Sequence, residues 1–249
     1  MTLAPAAGDP RVVDKEQDPA ALRTETEAPA AWGGYALRWD RWQYGAVALE
    51  FATVANLASL VDTEALLRDA HVPEPPYWAH LWPGSRALAR YVVEHPEVVS
   101  GRCLEVGCGL GLVALVLARM GGEVFAFDRD RDAVGFCQLN ARRNGLHIHA
   151  WQGDARQFVV RGRFPLICAA DVTYDASLQQ ALLELAERGL AGDGRVLCAE
   201  SVRVFDRAWL EEARGRGFSV REEELEEVEC GRPVQVRLLE LRRVRSDTV

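Results

Sequence analysis

A short apolar segment, Cys103 to Val106, runs straight into Gly107-Cys108-Gly109-Leu110-Gly111 and then into the helical spacing of Leu112 to Met120. Strand, glycine turn and helix in immediate succession mark one β/α unit of a parallel sheet, and the bare turn exposes backbone N–H groups to any ligand at the strand's end. Neighbouring segments repeat the unit. Pro83 and Gly84 open a helix carrying Leu88, Tyr91 and Val92, which must stop before His95 because Pro96 disfavours helical geometry in the residue preceding it. Strands are expected at Val124 to Phe127, Ile148 to Trp151, Leu166 to Ala170 and Arg195 to Ala199, with helices at Asp132 to Asn144 (closed by Gly145), Ser177 to Leu190 and Arg207 to Arg214. Phe218 to Arg221 and Val234 to Leu241 follow one another as strands with no helix between them. The result is an α/β fold: a seven-stranded, mainly parallel sheet with an antiparallel edge pair and helices on both faces, binding ligands beyond the strands' carboxyl ends.

Composition removes several alternatives. Thirty-seven acidic against 29 basic residues give a formal charge of −8, which argues against a grip on nucleic-acid phosphates. No stretch approaches the ~18 apolar residues of a membrane span, and Met1 to Ala31 has no apolar core flanked by basic residues, so a cytoplasmic protein is expected. The six cysteines form no CxxC pairs and read as small buried residues, with neither a disulfide framework nor a metal site. Residues 1–31, rich in Ala, Pro, Asp and Glu, read as a disordered tail. Residues 32–75 read as a hairpin (Tyr35, Leu37 and Trp39, then Val47, Leu49 and Phe51) followed by a helix from Leu57 to Leu67, and residues 76–249 as the main domain.

Within that domain, acids stand at the carboxyl ends of successive strands. The third glycine, Gly111, is the fourth residue after the first, whereas the dinucleotide fingerprint needs it one later, at Leu112; a nicotinamide cofactor is therefore disfavoured. Asp128, closing the second strand, can accept the hydroxyl hydrogens of a ribose. Glu105, inside the first strand, would cost several kcal/mol as an unpaired buried charge and calls for a cation such as an amino-acid ammonium. Asp154, in Gly153-Asp154-Ala155, is placed to read an adenine edge. Trp78 and Trp82, four apart, would share a helical face and could cover adenine or attract a sulfonium. His80, between them and without an evident partner, reads as structural, and the run Glu222 to Glu229 as a solvated strand or loop.

The strings LEVGCGLG, FAFD, GDA and ICAADVTYD, in this order, resemble the Rossmann-like class I methyltransferases that use S-adenosyl-L-methionine, over about Pro76 to Leu241. The resemblance implies that Glu105, Gly107, Gly109 and Gly111 surround the methionine part of that cofactor, that Asp128 holds its ribose, and that Asp154 meets its adenine. PYWAHLWPG (Pro76 to Gly84) and Asp171-Val172-Thr173-Tyr174 are similar to the branch acting on protein lysines, in particular on the electron-transfer flavoprotein β-subunit. A departure is Ala199-Glu200-Ser201-Val202-Arg203, where those enzymes carry a Gly-Asp-Pro-like sequence.

Asp171 and Tyr174 are accordingly the expected catalytic residues. Asp171 would position the acceptor amine and take its proton, Tyr174 would narrow the pocket, and Trp82 and Asp171 would join the cofactor-binding set. The acceptor expected is a lysine side chain of a protein partner. A small-molecule N- or O-methyltransferase and a non-catalytic partner-binding module stand as alternatives. Amino-group methylation of nucleic acid is disfavoured because Val172 and Thr173 occupy the positions of the paired prolines those enzymes carry.

Overall fold

A computed structural model describes residues 30–60, 75–157, 161–201 and 207–244. Three strands come first, β1 (Ala31–Trp32), β2 (Tyr35–Tyr44) and β3 (Val47–Val54), paired antiparallel in sequence order. The main domain then runs α1 (Pro83–Glu94), β4 (Arg102–Val106), α2 (Leu112–Arg119), β5 (Glu123–Asp128), α3 (Arg131–Arg143), β6 (Ile148–Gln152), β7 (Phe164–Ala170), α4 (Ala176–Gly189), β8 (Leu190–Ser201), α5 (Arg207–Gly215), β9 (Phe218–Glu229) and β10 (Arg232–Arg243). The sheet order is β6-β5-β4-β7-β8-β10-β9, parallel from β6 to β8, with β10 antiparallel to both its neighbours. The expected fold is therefore the observed one.

The order in which strands are added reverses between β4 and β7: β5 and β6 build outward on one side, β8 on the other. At that switch point the connections leaving β4 and β7 part, and a crevice opens at the strands' carboxyl ends. The alternation of strand side chains supplies two apolar faces. Cys103, Val124, Ala126, Leu166, Leu197 and Leu238 lie in the core beneath α1, α2 and α3, whereas Leu104, Ile167, Ala169, Val196 and Leu239 pack with Leu182 and Leu183 of α4 and Trp209 and Leu210 of α5.

The hairpin β2–β3 packs on α3, where the fully buried Asn140 joins three segments: its Oδ1 accepts the Ala52 N–H (2.7 Å), and its Nδ2 donates to the carbonyls of Ala52 (3.3 Å) and Leu110 (2.9 Å). Tyr35 donates its hydroxyl to Asp132 at 2.6 Å, also on α3. The strand expected at Phe218 to Arg221 continues to Glu229, so the glutamate run is an edge strand, and several of its acids are paired: Glu227 with Arg86 and Arg90 of α1, and Glu222 and Glu224 with Arg237. Leu57–Leu60 form a short 3-10 turn; the rest of the helix expected from Leu57 to Leu67, and nearly all of the N-terminal tail, lie outside the described residues. Five of the six cysteines are buried, and among the described residues no helix is long and apolar enough to cross a membrane.

Candidate active site

One cleft lies over the switch point, lined by the Gly107–Gly111 turn, Glu105, Asp128, Asp154, Asp171, Tyr174 and the Tyr77–Trp82 segment. Every site residue expected from the sequence borders it.

The turn after β4 is shaped by its glycines and tied down by β5. Gly111, the N-cap of α2, takes φ +89°, a left-handed value that costs a side-chain-bearing residue roughly 1–2 kcal/mol, and a Cβ there would lie 2.7 Å from the Cys137 sulfur of α3. Asp128, buried at the end of β5, accepts the Gly109 N–H through Oδ2 and the Asp130 N–H through Oδ1, both at 2.9 Å. One lone pair on each oxygen is left for a ligand. Burial raises the Asp128 carboxyl above its ordinary value, and the two N–H donors oppose that shift. Asp128→Ala should therefore weaken S-adenosylmethionine binding at least tenfold, because it removes a hydroxyl acceptor and releases two turn N–H groups together; calorimetric titration checks it.

Glu105 points to the face of β4 that α2 covers. It is 2% exposed, and its Oε2 is buried with no hydrogen-bond partner. Burial pushes its carboxyl well above the usual carboxylate range. A buried orphan acceptor beside a glycine cradle is what an arriving ammonium would satisfy. The residues thus fit an amino-acid-bearing nucleoside: Glu105 toward its ammonium, the glycine turn along its chain, Asp128 toward its ribose. Asp154 borders the cleft where the base would lie, yet its carboxylate is already bound by the Arg156 backbone N–H (2.9 Å) and guanidinium (3.0 Å), which together hold its pKa down. A ligand here meets an ion pair, not a free acid.

The tryptophans do not share a helical face. Trp78 belongs to a 3-10 turn, Tyr77–Ala79, and packs with Tyr35 and Phe136 at ring separations of 5.6 and 5.1 Å. Trp82 is extended (φ −64°, ψ 154°) because Pro83 follows it and excludes helical geometry, and its indole donates to the Tyr77 carbonyl at 2.7 Å on the cleft rim. His80 has a partner after all: its Nε2 lies 3.0 Å from Glu229 of β9, which ties the rim to the sheet edge.

Asp171, the residue after β7, stands at φ +53°, a left-handed conformation. The helix that follows it, α4, is capped by Asp175, whose Oδ1 accepts the Ser177 and Leu178 N–H groups. Asp171 instead addresses the N-terminus of α1: its Oδ2 accepts the Ser85 N–H (3.2 Å) and its Oδ1 the Ser201 N–H (3.3 Å). Gly84 makes this approach possible, since a Cβ there would collide with the carboxylate. Burial still raises Asp171 to about 6 against those donors. Tyr174, 45% exposed, stands at the mouth three residues on.

Sequence reasoning passed over Asn140, which anchors the glycine turn through Leu110, and Gln179, which donates to the Thr173 carbonyl at 2.9 Å. An amide on the otherwise apolar face of a helix was the available signal for both.

Comparison with known proteins agrees with this geometry. The family model for the methyltransferase small domain matches residues 77–214. The electron transfer flavoprotein beta subunit lysine methyltransferase of Xenopus laevis is 34% identical over 52% of this chain and 54% of its own length, so the chain spans about half of that relative. The protein N-lysine methyltransferase METTL21A of Danio rerio is 33% identical over 58% of this chain and 70% of its own. Among solved structures, magnesium protoporphyrin IX methyltransferase from Synechocystis PCC 6803 with bound SAM superposes with a TM-score of 0.51 at 18% identity, covering 64% of this chain and 77% of its own; that likeness speaks to fold. With the family match extending over more than half of its length, the chain belongs to the methyltransferase small domain family.

Proposed function

We propose that this chain is an S-adenosylmethionine-dependent N-methyltransferase whose acceptor is a lysine side chain of a partner protein. One observation carries the reading: a glycine cradle with a buried carboxyl, Glu105, that leaves one oxygen unpartnered, opens into the same cleft as a second buried carboxyl, Asp171, and an exposed aromatic rim. The cofactor supplies a methyl group on a sulfonium, transferred by in-line displacement. What remains for the protein is alignment of donor and acceptor and exclusion of water.

Glu105, the Gly107–Gly111 turn and Asp128 hold the donor. Trp82, Tyr77 and Tyr174, 36–48% exposed around the opening, present apolar surface to an acceptor's aliphatic stem, and Asp171 receives the nitrogen. A lysine acceptor is further supported by the relatives above, whose names specify lysine.

Incubation with tritiated cofactor and a soluble protein extract, followed by a gel and mass spectrometry, tests the proposal. A labelled protein band carrying methylated lysine is expected. Label confined to the metabolite fraction would move the assignment to a small-molecule enzyme, and no transfer beside intact cofactor binding would leave a binding module.

A further inference from the structure

Glu200, at the carboxyl end of β8, is buried on the sheet face that carries Cys198. Its Oε1 accepts two successive backbone N–H groups, from Val172 (3.1 Å) and Thr173 (2.9 Å), and the Cys198 thiol at 3.5 Å. The opposite side of the same turn is held by Gln179, whose side-chain amide donates to the Thr173 carbonyl, while its backbone carbonyl accepts the Trp209 indole N–H at 3.0 Å. Val172 meanwhile sits so close to Gly107 that a Cβ on that glycine would strike it. The turn that begins with left-handed Asp171 is thus clamped between a carboxylate beneath it and the cofactor turn beside it. A left-handed, non-glycine residue persists only where surrounding contacts over-determine it.

We propose that Glu200 is a positioning residue for methyl transfer: by holding the N–H groups of Val172 and Thr173 it fixes the Asp171–Tyr174 turn against the glycine cradle and aims Asp171 at the acceptor. The proposal rests on the methyltransferase reading above and adds to it a residue outside the Asp171–Tyr174 string.

Among the described residues, three titratable or charged groups surround Glu200. Asp171 acts on it from the turn after β7, Cys198 lies on its own strand, and across the β8–β10 register stands Arg237, which pairs with Glu222 and Glu224 of β9. From α1, Arg86 acts on Asp171. Burial, with Asp171's charge added, raises Glu200 to about 7, while Asp171 lies near 6. In its ionised form Glu200 makes charge-assisted bonds to the turn that are roughly twice as strong as neutral ones.

The test combines a readout independent of chemistry with one that depends on it. In the ¹⁵N-labelled chain, the Val172 and Thr173 amide resonances should move through a step near pH 7. Glu200→Gln should abolish the step, and Asp171→Asn should shift it to lower pH. With tritiated cofactor and the soluble extract, Glu200→Ala should cut kcat at least tenfold with the KM for cofactor within about threefold, and Glu200→Gln should recover most of the loss. The wild-type rate should rise with pH through the ionisation of both carboxyls, and Glu200→Gln should leave a single step. Amides indifferent to Glu200, or unchanged turnover in Glu200→Ala, would overturn the assignment. If the amide steps behave as described and no form of the chain labels any acceptor, the methyltransferase reading fails while the clamp stands; should Glu200→Ala not fold, the Glu200→Gln titration still decides.

Discussion

Glu105→Gln is expected to bind S-adenosylmethionine about 10- to 100-fold more weakly than the parent chain and, at pH 8, to melt at a higher temperature. Both effects have one origin. Oε2 of Glu105 is buried without a partner, so the ligand-free protein carries an uncompensated acid that an ammonium would neutralise. Hydrogen bonds to charged groups contribute about 1.5–3 kcal/mol, which sets the expected loss of affinity when a neutral amide takes the carboxylate's place. The stability effect follows from linkage. Burial raises the folded-state pKa of Glu105 well above its unfolded value, so the fold favours the protonated form. Stability from this group is complete below the unfolded pKa and is lost as pH rises through the folded one, whereas glutamine, a mimic of the neutral acid, does not lose it. Calorimetric titration and thermal melting at pH 8 measure the two quantities on the same sample. Unchanged affinity would remove Glu105 from the ammonium site, and a lower melting temperature would mean that the carboxylate is satisfied in the free protein.

Such an acid also shows what a sequence can and cannot convey. That Glu105 would be buried was legible, because it sits inside a four-residue apolar run ahead of a glycine turn; that only one of its oxygens would lack a partner was not. Parallel strands read as continuous apolar segments and their crossover helices as 3.6-residue periods, so the sheet and its antiparallel edge could be written down from local pattern alone. Long-range contacts have no such period. Nothing local to Asp171 announces that its carboxylate will meet the N-terminus of a helix 86 residues earlier in the chain, or that Gly84 is glycine to admit it. The four-residue spacing of Trp78 and Trp82 suggested a shared helical face, but Pro83 overrode it, placing one indole in an aromatic cluster and the other on the rim. Asp154 was legible as a strand-end acid and illegible as half of an ion pair, since its partner Arg156 lies in a turn with no periodic pattern to place its side chain. Asn140 and Glu200 were passed over for a common reason: each acts by hydrogen-bonding backbone of distant segments, Ala52 and Leu110 in one case and Val172 and Thr173 in the other.

Asp171→Asn should lower turnover by about 10²- to 10³-fold while leaving S-adenosylmethionine affinity within about threefold, the range associated with loss of one positioned proton-transfer group. In the proposed reaction the carboxylate would work under two opposing demands. A free lysine has a pKa near 10.4, and a fully ionised aspartate beside it would hold the amine protonated and unreactive. Burial resolves much of the conflict, because it destabilises both charged forms: it has raised Asp171 to about 6, and a desolvated amine shifts downward toward it. Helix α1 and Ser201, each donating one N–H, keep the carboxylate ionised enough at neutral pH to accept a hydrogen bond from the incoming nitrogen. Parent activity should therefore fall as pH drops through about 6, and that limb should vanish from whatever activity Asp171→Asn retains. An asparagine must also turn its NH₂ toward one of two backbone donors, which predicts a stability loss of about 1–3 kcal/mol, visible as a lower melting temperature at pH 5, where the parent aspartic acid is itself largely neutral. A variant that keeps full turnover, or one that loses cofactor affinity in step with turnover, would show that Asp171 serves α1 and the cofactor cleft alone and that the acceptor nitrogen is held by another group.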